Sequence, residues 1–307
     1  PMTARGEETA EACDRLREAG VALRGGASRL DTDDLRSGYQ DMDGVLQAMP
    51  GHDRMVDTVL DGFLSGVPGR DPCAVTKLTD WLRQRPATRN LLDRSADIVP
   101  KLAPLALLDC GDQRANAGDW AGAQALYQQM VDQYPGHELA ERAQRGLKQA
   151  KEGLELKHLT SLGSGYCKTP AVYSAAPPYA KGTTDPAVVY ATDTYDDHVK
   201  RLPGEWQADN SHATMVVCVG QRDSGASVRS CRYREDVSGR VRNVTFTKIA
   251  YPVKAYELRT GNVVFDGRVE IGGAACPAVI TLFGDDQVYV TPADSDIRAA
   301  FAPVFTP

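Results

Sequence analysis

Residues 104–137 contain two helical patterns separated by a short turn, and this stretch constrains the fold more than any other. The first pattern carries Leu105, Leu108 and Ala115 at helix-compatible spacing. The second has apolar residues at the i, i+3, i+4 and i+7 positions of one helix face, namely Ala123, Leu126, Tyr127 and Met130. Gly118-Asp119-Trp120 is the predicted turn, and Pro135-Gly136 ends the second helix. The stretch therefore predicts an antiparallel helical hairpin.

This hairpin resembles a tetratricopeptide repeat (TPR), a helix–turn–helix unit of about 34 residues. With Pro104 as the first position, the small, turn, close-packing, aromatic and terminal-proline positions of the motif fall on Gly111, Gly118, Ala123, Tyr127 and Pro135. The chain departs from the motif at Leu107, Arg114 and Met130. The resemblance implies a stack of helical hairpins; the alternative is an ordinary hairpin outside any repeat.

The rest of residues 1–158 shows further helical patterns. Asp31 or Thr32 is the expected N-cap of a strong amphipathic helix, and Asp71-Pro72 starts another. Pro100 and Pro104 are expected to interrupt the chain before the hairpin. Helices are predicted over 7–24, 31–49 and 55–64, from Asp71-Pro72, from a Thr88 cap and over 139–154. We therefore predict an all-α, TPR-like solenoid of about eight helices over 1–158.

The composition changes after residue 158. Residues 159–186 are rich in Tyr, Pro and Gly and are interpreted as a connection, with a recognition peptide as the alternative. From 187 the pattern is strand-like, with a hairpin tip at Thr260-Gly261-Asn262, a bulge or break at Pro252 and a final helix capped by Asp294. The predicted strands are 187–192, 214–221, 227–234, 244–250, 253–259, 263–271, 278–283 and 287–291. Residues 187–307 are predicted to form a mainly antiparallel, β-sandwich-like domain, and the whole chain a two-domain α+β protein.

The chain has seven cysteines and no CxxC motif, which disfavours a zinc site. Cys218 and Cys231 stand opposite each other if Ser224-Gly225 is a two-residue hairpin turn, so a disulfide between them is predicted. The alternative is two unrelated core thiols. By elimination, Cys167 would pair with Cys276 and Cys73 with Cys110, leaving Cys13 as a free core thiol. Several disulfides indicate an oxidising, extracytoplasmic compartment.

The whole pattern resembles uncharacterised envelope-associated proteins of high-GC Gram-positive bacteria. The segments that carry the resemblance are CGD at 110–112, GDW at 118–120, GYCKTP at 165–170, VVCVG at 216–220, IAYPVKAYELRTG at 249–261 and ACP at 275–277. The resemblance implies a membrane-anchored protein with a helical part before a cysteine-bearing β part. It implies no activity.

Composition narrows the possible functions. A net charge of −6 disfavours nucleic-acid binding, and no apolar run approaches the length of a membrane span. The polar start PMTARGEETAEAC is not a signal peptide, and Pro before Met resembles an expression scar, so an anchor or signal upstream of residue 1 is compatible with this start.

No motif predicts catalysis, a metal or a cofactor. Asp223-Ser224-Gly225 is interpreted as hairpin-turn chemistry and not as a nucleophile segment. The acidic group Asp193, Asp196, Asp197 and His198 has oxygen ligands of the kind that bind Ca²⁺, but an acidic surface loop is the favoured interpretation.

The remaining candidate surface is the inner face of the helical stack, where peptides commonly dock. Its predicted protein-binding residues are Asp112, Gln113 and Asn116, with a solvated surface as the equal alternative. We therefore predict an extracytoplasmic, non-catalytic scaffold protein with an unidentified protein or peptide partner. The alternative is a cell-wall or glycan-binding module that uses the aromatic residues Trp206, Tyr190 and Tyr195 of the β domain.

Overall fold

The computed structural model describes residues 2–192, 197–236, 238–281 and 287–306. The chain divides into two compact units, Pro1–Lys151 and Glu152–Pro307, which we call the helical unit and the β unit. The division falls inside a helix, Ala140–Leu162, that continues past the compositional change expected at residue 158. The architecture is α+β, with helices followed by one curled mixed sheet.

Eight helices lie within residues 2–162 of the described chain, as the helical patterns predict, and a short 3₁₀ helix, Gly163–Cys167, follows them. Seven are α-helices and one, Leu91–Ile98, is a 3₁₀ helix. Their bounds are α1 (Met2–Arg29), α2 (Thr32–Ala48), α3 (Asp53–Ser65), α4 (Pro72–Gln84), the 3₁₀ helix Leu91–Ile98, α5 (Val99–Asn116), α6 (Trp120–Gln133) and α7 (Ala140–Leu162).

Two of the predicted helix caps are confirmed. The Asp31 carboxylate accepts hydrogen bonds from the backbone N–H groups of the first turn of α2, at 2.9 and 3.2 Å. The Asp71 carboxylate does the same at α4, with Pro72 at the first helical position. Each cap satisfies backbone donors that have no partner inside the helix.

Two other predictions in this unit are wrong. Thr88 does not cap a helix, because its hydroxyl donates to side chains of the following turn; Asn90 caps the 3₁₀ helix instead. Pro100 and Pro104 do not interrupt the chain, since both lie within α5. Pro100 occupies the first turn, where no backbone donor is needed, and Pro104 forgoes only one hydrogen bond near that end of the helix.

The central hairpin forms from α5 and α6 with its turn at Gly118, whose φ of +74° favours glycine. Asp119 caps α6 by accepting from the Gly122 N–H at 3.0 Å. The ring of Tyr127 in α6 lies against two glycines: a Cβ on Gly111 of α5 would be 2.6 Å from the ring, and one on Gly146 of α7 would be 2.7 Å away. Helix approach at this point therefore requires residues without side chains.

In the described residues, the sheet of the β unit contains six strands. The pairings of β1 with β2 and of β6 with β4 are parallel, and the others are antiparallel. The described strands form this one sheet and not the two packed sheets expected of a sandwich. They are β1 (Ala187–Ala191), β2 (Met215–Val219), β3 (Asp223–Arg234), β4 (Val241–Glu257), β5 (Val263–Ile271) and β6 (Gln287–Tyr289). The predicted strand 278–283 is not a strand over 278–281, and its remainder lies outside the described residues.

β4 is the central strand of this sheet. β2 pairs with the carboxyl half of β4 and β3 with its amino half. β5 and β6 pair with residues of β4 that β2 and β3 also pair with, so β5 and β6 must lie along the opposite edge of β4. The Thr260-Gly261-Asn262 tip joins β4 to β5 as predicted.

Pro252 does not break or bulge β4, contrary to the prediction. Its carbonyl accepts from the Gly220 N–H at 2.8 Å, which places its backbone nitrogen on the edge shared by β2 and β3. Proline has no N–H, and here that missing donor would face the short connection between the end of β2 and the start of β3. No ladder hydrogen bond to either strand is therefore lost. Gly220 is required there because a Cβ would lie 2.5 Å from the Pro252 ring.

The final helix, α8 (Asp294–Phe305), buries Ile297, Phe301 and Phe305 in the main core of the β unit. Asp294 is its first residue and not its cap. The carboxylate of Asp296 instead accepts from the Ala293 N–H at 2.8 Å.

Three disulfides form, and only one predicted pairing is confirmed. Cys73–Cys110 joins α4 to α5 as predicted, whereas the other bonds are Cys167–Cys218 and Cys231–Cys276. The predicted Cys218–Cys231 and Cys167–Cys276 pairings are wrong because β2 and β3 pair one after the other with β4 and not with each other, so these strands do not form a hairpin.

Cys13 carries a free thiol, as predicted, but the expectation that it lies in the core is wrong. The inward face of α1 is formed by Ala12, Leu16 and Ala19. Cys13 is one residue, or about 100° of helix rotation, away from that face.

We expect a non-reduced proteolytic digest to yield cross-linked peptides for Cys73–Cys110, Cys167–Cys218 and Cys231–Cys276, with only Cys13 alkylated before reduction. Mass spectrometry of the fragments checks the pairing. A peptide linking Cys218 to Cys231 would contradict the observed strand order.

We expect Gly146→Ala to destabilise the protein by about 1–3 kcal/mol, because the added methyl overlaps the Tyr127 ring. This loss outweighs the gain of about 1 kcal/mol from higher helix propensity. The matched control is Gly62→Ala in α3, where a Cβ meets nothing within 4 Å and stability should hold or rise. Chemical denaturation of both variants measures the difference; equal stabilities would refute the close contact.

Candidate functional site

The three sequence-predicted binding residues lie together on α5, but two of them are engaged within the helical unit. The Asp112 carboxylate accepts from the Tyr127 hydroxyl and from Arg142, each at 2.6 Å. The Gln113 amide donates to Asp71 at 3.2 Å. Asn116 is exposed. Since Asp112 anchors the central hairpin, it is a structural group more than an open peptide ligand.

A better-formed site is a cavity of about 360 Å³ between α2 and α4, which we call the aromatic pocket. Residues at the i, i+3, i+4 and i+7 positions of α2 line one side, so they share one helix face. The carboxyl end of α4 and the turn after it line the other side. The lining residues from α2 are Arg36, Tyr39, Gln40 and Asp43, and those from the end of α4 and the following turn are Trp81, Gln84, Arg85, Pro86 and Thr88.

Two aromatic rings line this pocket. Tyr39 is buried, and its ring meets the half-buried ring of Trp81 edge-on, with centroids 5.2 Å apart. Phe63 of α3 contacts Tyr39 edge-on at 6.2 Å. Burial raises the pKa of the Tyr39 hydroxyl to about 12, so this side chain is neutral at physiological pH.

Arg85 adds a cation to the same pocket. Its guanidinium lies 4.5 Å from the Tyr39 ring centroid, a cation–π contact, and its side chain is only 10% exposed. One terminal nitrogen donates to the Leu92 carbonyl at 3.0 Å and to Asp93 at 3.2 Å. Its Nε is buried and has no hydrogen-bond partner among the described residues. The pocket thus contains a fixed cation with one unused donor.

The turn that carries Arg85 is organised by Asp93. The Asp93 carboxylate accepts from the Thr88 N–H at 2.8 Å, the Thr88 hydroxyl at 2.9 Å and the Arg89 N–H at 2.7 Å. These bonds hold Arg89 at a φ of +60°, which is unusual for a residue with a side chain. The backbone bond from Thr88 is the main cause of the lowered pKa of Asp93.

A second link ties this turn to α2. The Asn90 amide donates to Asp43 at 2.6 Å, and Gln47 donates to the other Asp43 oxygen at 2.7 Å. The walls of the pocket are therefore held by hydrogen bonds, while Gln40 and Gln84 at its rim are exposed. Such a pre-formed pocket suits binding of a planar or apolar group that carries a hydrogen-bond acceptor.

Sequence reasoning missed this site for an identifiable reason. Tyr39 lies on the buried face of α2, and the polar residues Arg36, Gln40 and Asp43 lie along one flank of that face. Their spacing was a visible signal. Arg85 and Thr88, however, reach the pocket only because Asp93 folds the following turn back on itself.

Trp206 and Tyr190, two of the aromatic residues expected to bind glycans, do not form one exposed surface. Trp206 is 2% exposed and stacks on Phe305 at 4.7 Å, so its assignment as an exposed aromatic is wrong. Tyr190 is half-buried, and Tyr195 lies outside the described residues. Tyr190 lines a cavity of about 320 Å³ in the β unit, beside the Cys167–Cys218 disulfide and the Lys254–Asp266 ion pair.

The other motifs do not gather into a reactive centre. Asp223, Ser224 and Gly225 lie within β3 and not at a hairpin tip, which corrects that prediction. Asp193 and Asp196 of the proposed Ca²⁺ loop lie outside the described residues, and Asp197 pairs with Lys200 at 2.9 Å. Over the described ranges, no group of three or more His, Cys, Asp or Glu side chains is placed to hold a metal ion.

Within the same ranges, no helix is long and apolar enough to cross a membrane. Comparisons with protein-family models, with curated proteins and with solved structures found no match to this chain.

We expect Asp93→Ala to destabilise the helical unit by about 1–3 kcal/mol, because the backbone donors of Thr88 and Arg89 lose their acceptor. The control is Asp97→Ala in the same 3₁₀ helix, an exposed carboxylate whose removal should change stability little. Chemical denaturation compares the two variants, and equal effects would contradict the assigned role.

The lowered pKa of Asp93 also sets the sign of a pH effect. Its contribution is present above the ordinary carboxyl value of 3.8 and is lost as the pH falls through the lower folded-state pKa. Asp93→Ala should therefore cost less stability in strong acid than at neutral pH.

Proposed function

We propose that the protein is an extracytoplasmic, non-catalytic interaction protein whose helical unit binds a segment of a partner protein in the aromatic pocket. The observation that carries this proposal is the contact between the half-buried ring of Trp81 and the buried ring of Tyr39, beside the mostly buried guanidinium of Arg85. In this proposal the central hairpin is TPR-like and the β unit is a second docking module.

The chemistry of the pocket supports recognition of a side chain. Trp81 offers an aromatic face that is partly accessible, and aromatic residues and arginine dominate the binding energy of protein interfaces. The guanidinium of Arg85 lines the pocket, and its positive charge favours a carbonyl or carboxylate oxygen of the partner. Gln40 and Gln84 at the rim can hydrogen-bond to the partner's backbone.

The compartment is supported by the covalent structure. Three disulfides are compatible with an extracytoplasmic location, because disulfides persist in oxidising environments. In that setting a rigid pocket on a helical unit is suited to assembly with other envelope or secreted proteins.

The second candidate function is binding of a cell-wall glycan in the β unit. It is favoured by the cavity that contains Tyr190, because an aromatic ring beside charged and hydroxyl groups suits a sugar. Trp206 is buried and cannot stack on a sugar, so this candidate is weaker than peptide binding in the aromatic pocket.

The decisive experiment places a photo-reactive amino acid at Gln84, on the rim of the pocket, and uses the full chain as bait in the native envelope. We expect one protein to be cross-linked from this position and not from Gln128, an exposed glutamine on α6. Mass spectrometry identifies the cross-linked protein.

A matched pair of variants tests whether the pocket itself binds. Trp81→Ala in the Gln84 bait should reduce the cross-linked yield about tenfold or more, because a central aromatic anchor is removed. Trp120→Ala, which truncates another half-buried tryptophan of the helical unit, should preserve it. Equal yields from both variants would refute the pocket. Retention on purified cell wall that is lost in Tyr190→Ala would favour the glycan candidate.

A further inference from the structure

The third strand of the sheet, β3, presents an open edge. On one side it pairs with β4, and along its other side no strand pairs with it in the described part of the chain. Residues 226–230 of β3 are all exposed, including Val228 at 44%. Proteins usually cover or shorten such an edge because its unpaired backbone groups can accept another strand.

The register shows which backbone groups are available. The Glu235 N–H donates to the Arg240 carbonyl at 2.9 Å, so residue 235 directs its backbone groups toward β4. These groups alternate in direction along an antiparallel strand. Ser230, Arg232 and Arg234 therefore direct their N–H and C=O groups toward the open edge.

The same strand carries an unusual charge. Arg229, Arg232 and Arg234 are exposed, and none of them forms an ion pair or side-chain hydrogen bond with another residue that the structure describes. The whole chain, by contrast, has a net charge of −6. A nearby carboxylate, Glu235, is paired with Arg242 at 3.6 Å. The open edge is thus a basic strip on an acidic protein.

We propose that the open edge of β3 docks an extended acidic segment of a partner protein, which adds to the sheet as a further strand. Main-chain hydrogen bonds to Ser230, Arg232 and Arg234 would hold the segment, and its carboxylates would pair with Arg232 and Arg234, whose side chains share the face of β3 opposite Cys231 and Tyr233. The charge complementarity selects this occupant: a second copy of β3 would place arginines against arginines, which opposes self-pairing.

Covalent and packing contacts keep the strand in place for this role. Cys231 is bonded to Cys276, and the Tyr233 hydroxyl donates to the Pro277 carbonyl at 2.8 Å. Both residues belong to the face of β3 that packs inward with Val244 and Phe246. The opposite face and the open edge remain available. This surface belongs to the β unit and is independent of the aromatic pocket.

The probe is a short fluorescent peptide that alternates Glu with Val, compared with the same peptide carrying Lys in place of Glu. The full disulfide-bonded chain is titrated and fluorescence anisotropy is measured. We expect the acidic peptide to bind at least about tenfold more tightly than the basic one and to weaken as salt is raised, because the charges are exposed.

Two matched pairs of variants separate backbone pairing from charge. Ser230→Pro removes an N–H that faces the open edge while leaving the β4 ladder intact, and Ser230→Ala keeps that N–H. The combined variant Arg232→Ser with Arg234→Ser removes two charges, and Arg259→Ser removes an exposed charge elsewhere in the β unit. We expect a loss of about tenfold or more for the first member of each pair and none for the second.

The outcomes distinguish this proposal from others. Equal binding of the acidic and basic peptides, or full binding by the double arginine variant, would overturn it. Binding that depends on the arginines but is unchanged in Ser230→Pro, together with equally tight binding of polyphosphate, would show a polyanion site and no added strand. A correct Cys231–Cys276 bond in each variant, checked by mass spectrometry, shows that a loss does not come from misfolding. Failure of this test leaves binding at the aromatic pocket unaffected, since neither pair of variants touches the helical unit.

Discussion

The hydrogen-bond ladder of β4 is the constraint on which the β unit depends. Seventeen residues, Val241–Glu257, pair with four other strands, two along each edge. Because β2 and β3 share one edge, the chain passes from one to the other beside Pro252, which has no N–H to lose. The same strand order separates Cys218 from Cys231, so each cysteine finds its partner outside the sheet, at Cys167 and Cys276. It also leaves β3 at the margin of the sheet with one open side.

The helical unit has a different source of order, since its helices form from local signals and then pack through close contacts. Side-chain caps begin α2, α4 and α6, and glycines allow the Tyr127 ring to fit between α5 and α7. The aromatic pocket arises where this regularity ends. After α4 the chain turns around Asp93, and the turn brings Arg85 over the Tyr39 ring. Binding sites commonly lie on such irregular segments held by a rigid scaffold.

In our two proposals, the two surfaces would bind partners of different chemistry. The aromatic pocket is a concave, mostly pre-formed cavity with one buried cation, suited to a single side chain. The β3 edge is an open strip of backbone donors and acceptors flanked by arginines, suited to an extended segment. Neither arrangement brings together a nucleophile and a base in the described residues, and both offer hydrogen-bond groups that a partner would complete.

The sequence alone determined the features that depend on neighbouring residues. The helices, the Asp31 and Asp71 caps, the turn at Gly118 and the strand-rich second half follow from spacing and from local hydrogen bonding. The Cys218–Cys231 prediction is wrong because it assumed that strands close in sequence pair with each other. The predicted break at Pro252 is wrong because the sequence does not show which edge of the strand its missing N–H faces. Which strands pair is decided by contacts between distant residues, here by the pairing of both β2 and β3 with β4.

Contacts between distant residues also decide which side chains form the candidate site, so the sequence alone does not show it. Asp112 was visible as a polar group off the packing face, but only the tertiary structure shows that Tyr127 and Arg142 occupy it. Tyr39 and Trp81 lie on two separate helices, α2 and α4. That they meet, and that Arg85 lies beside them with a donor unused, was decided by the packing of α2 against α4 and by the turn that Asp93 holds. Local chemistry sets the elements, and long-range packing sets which side chains meet.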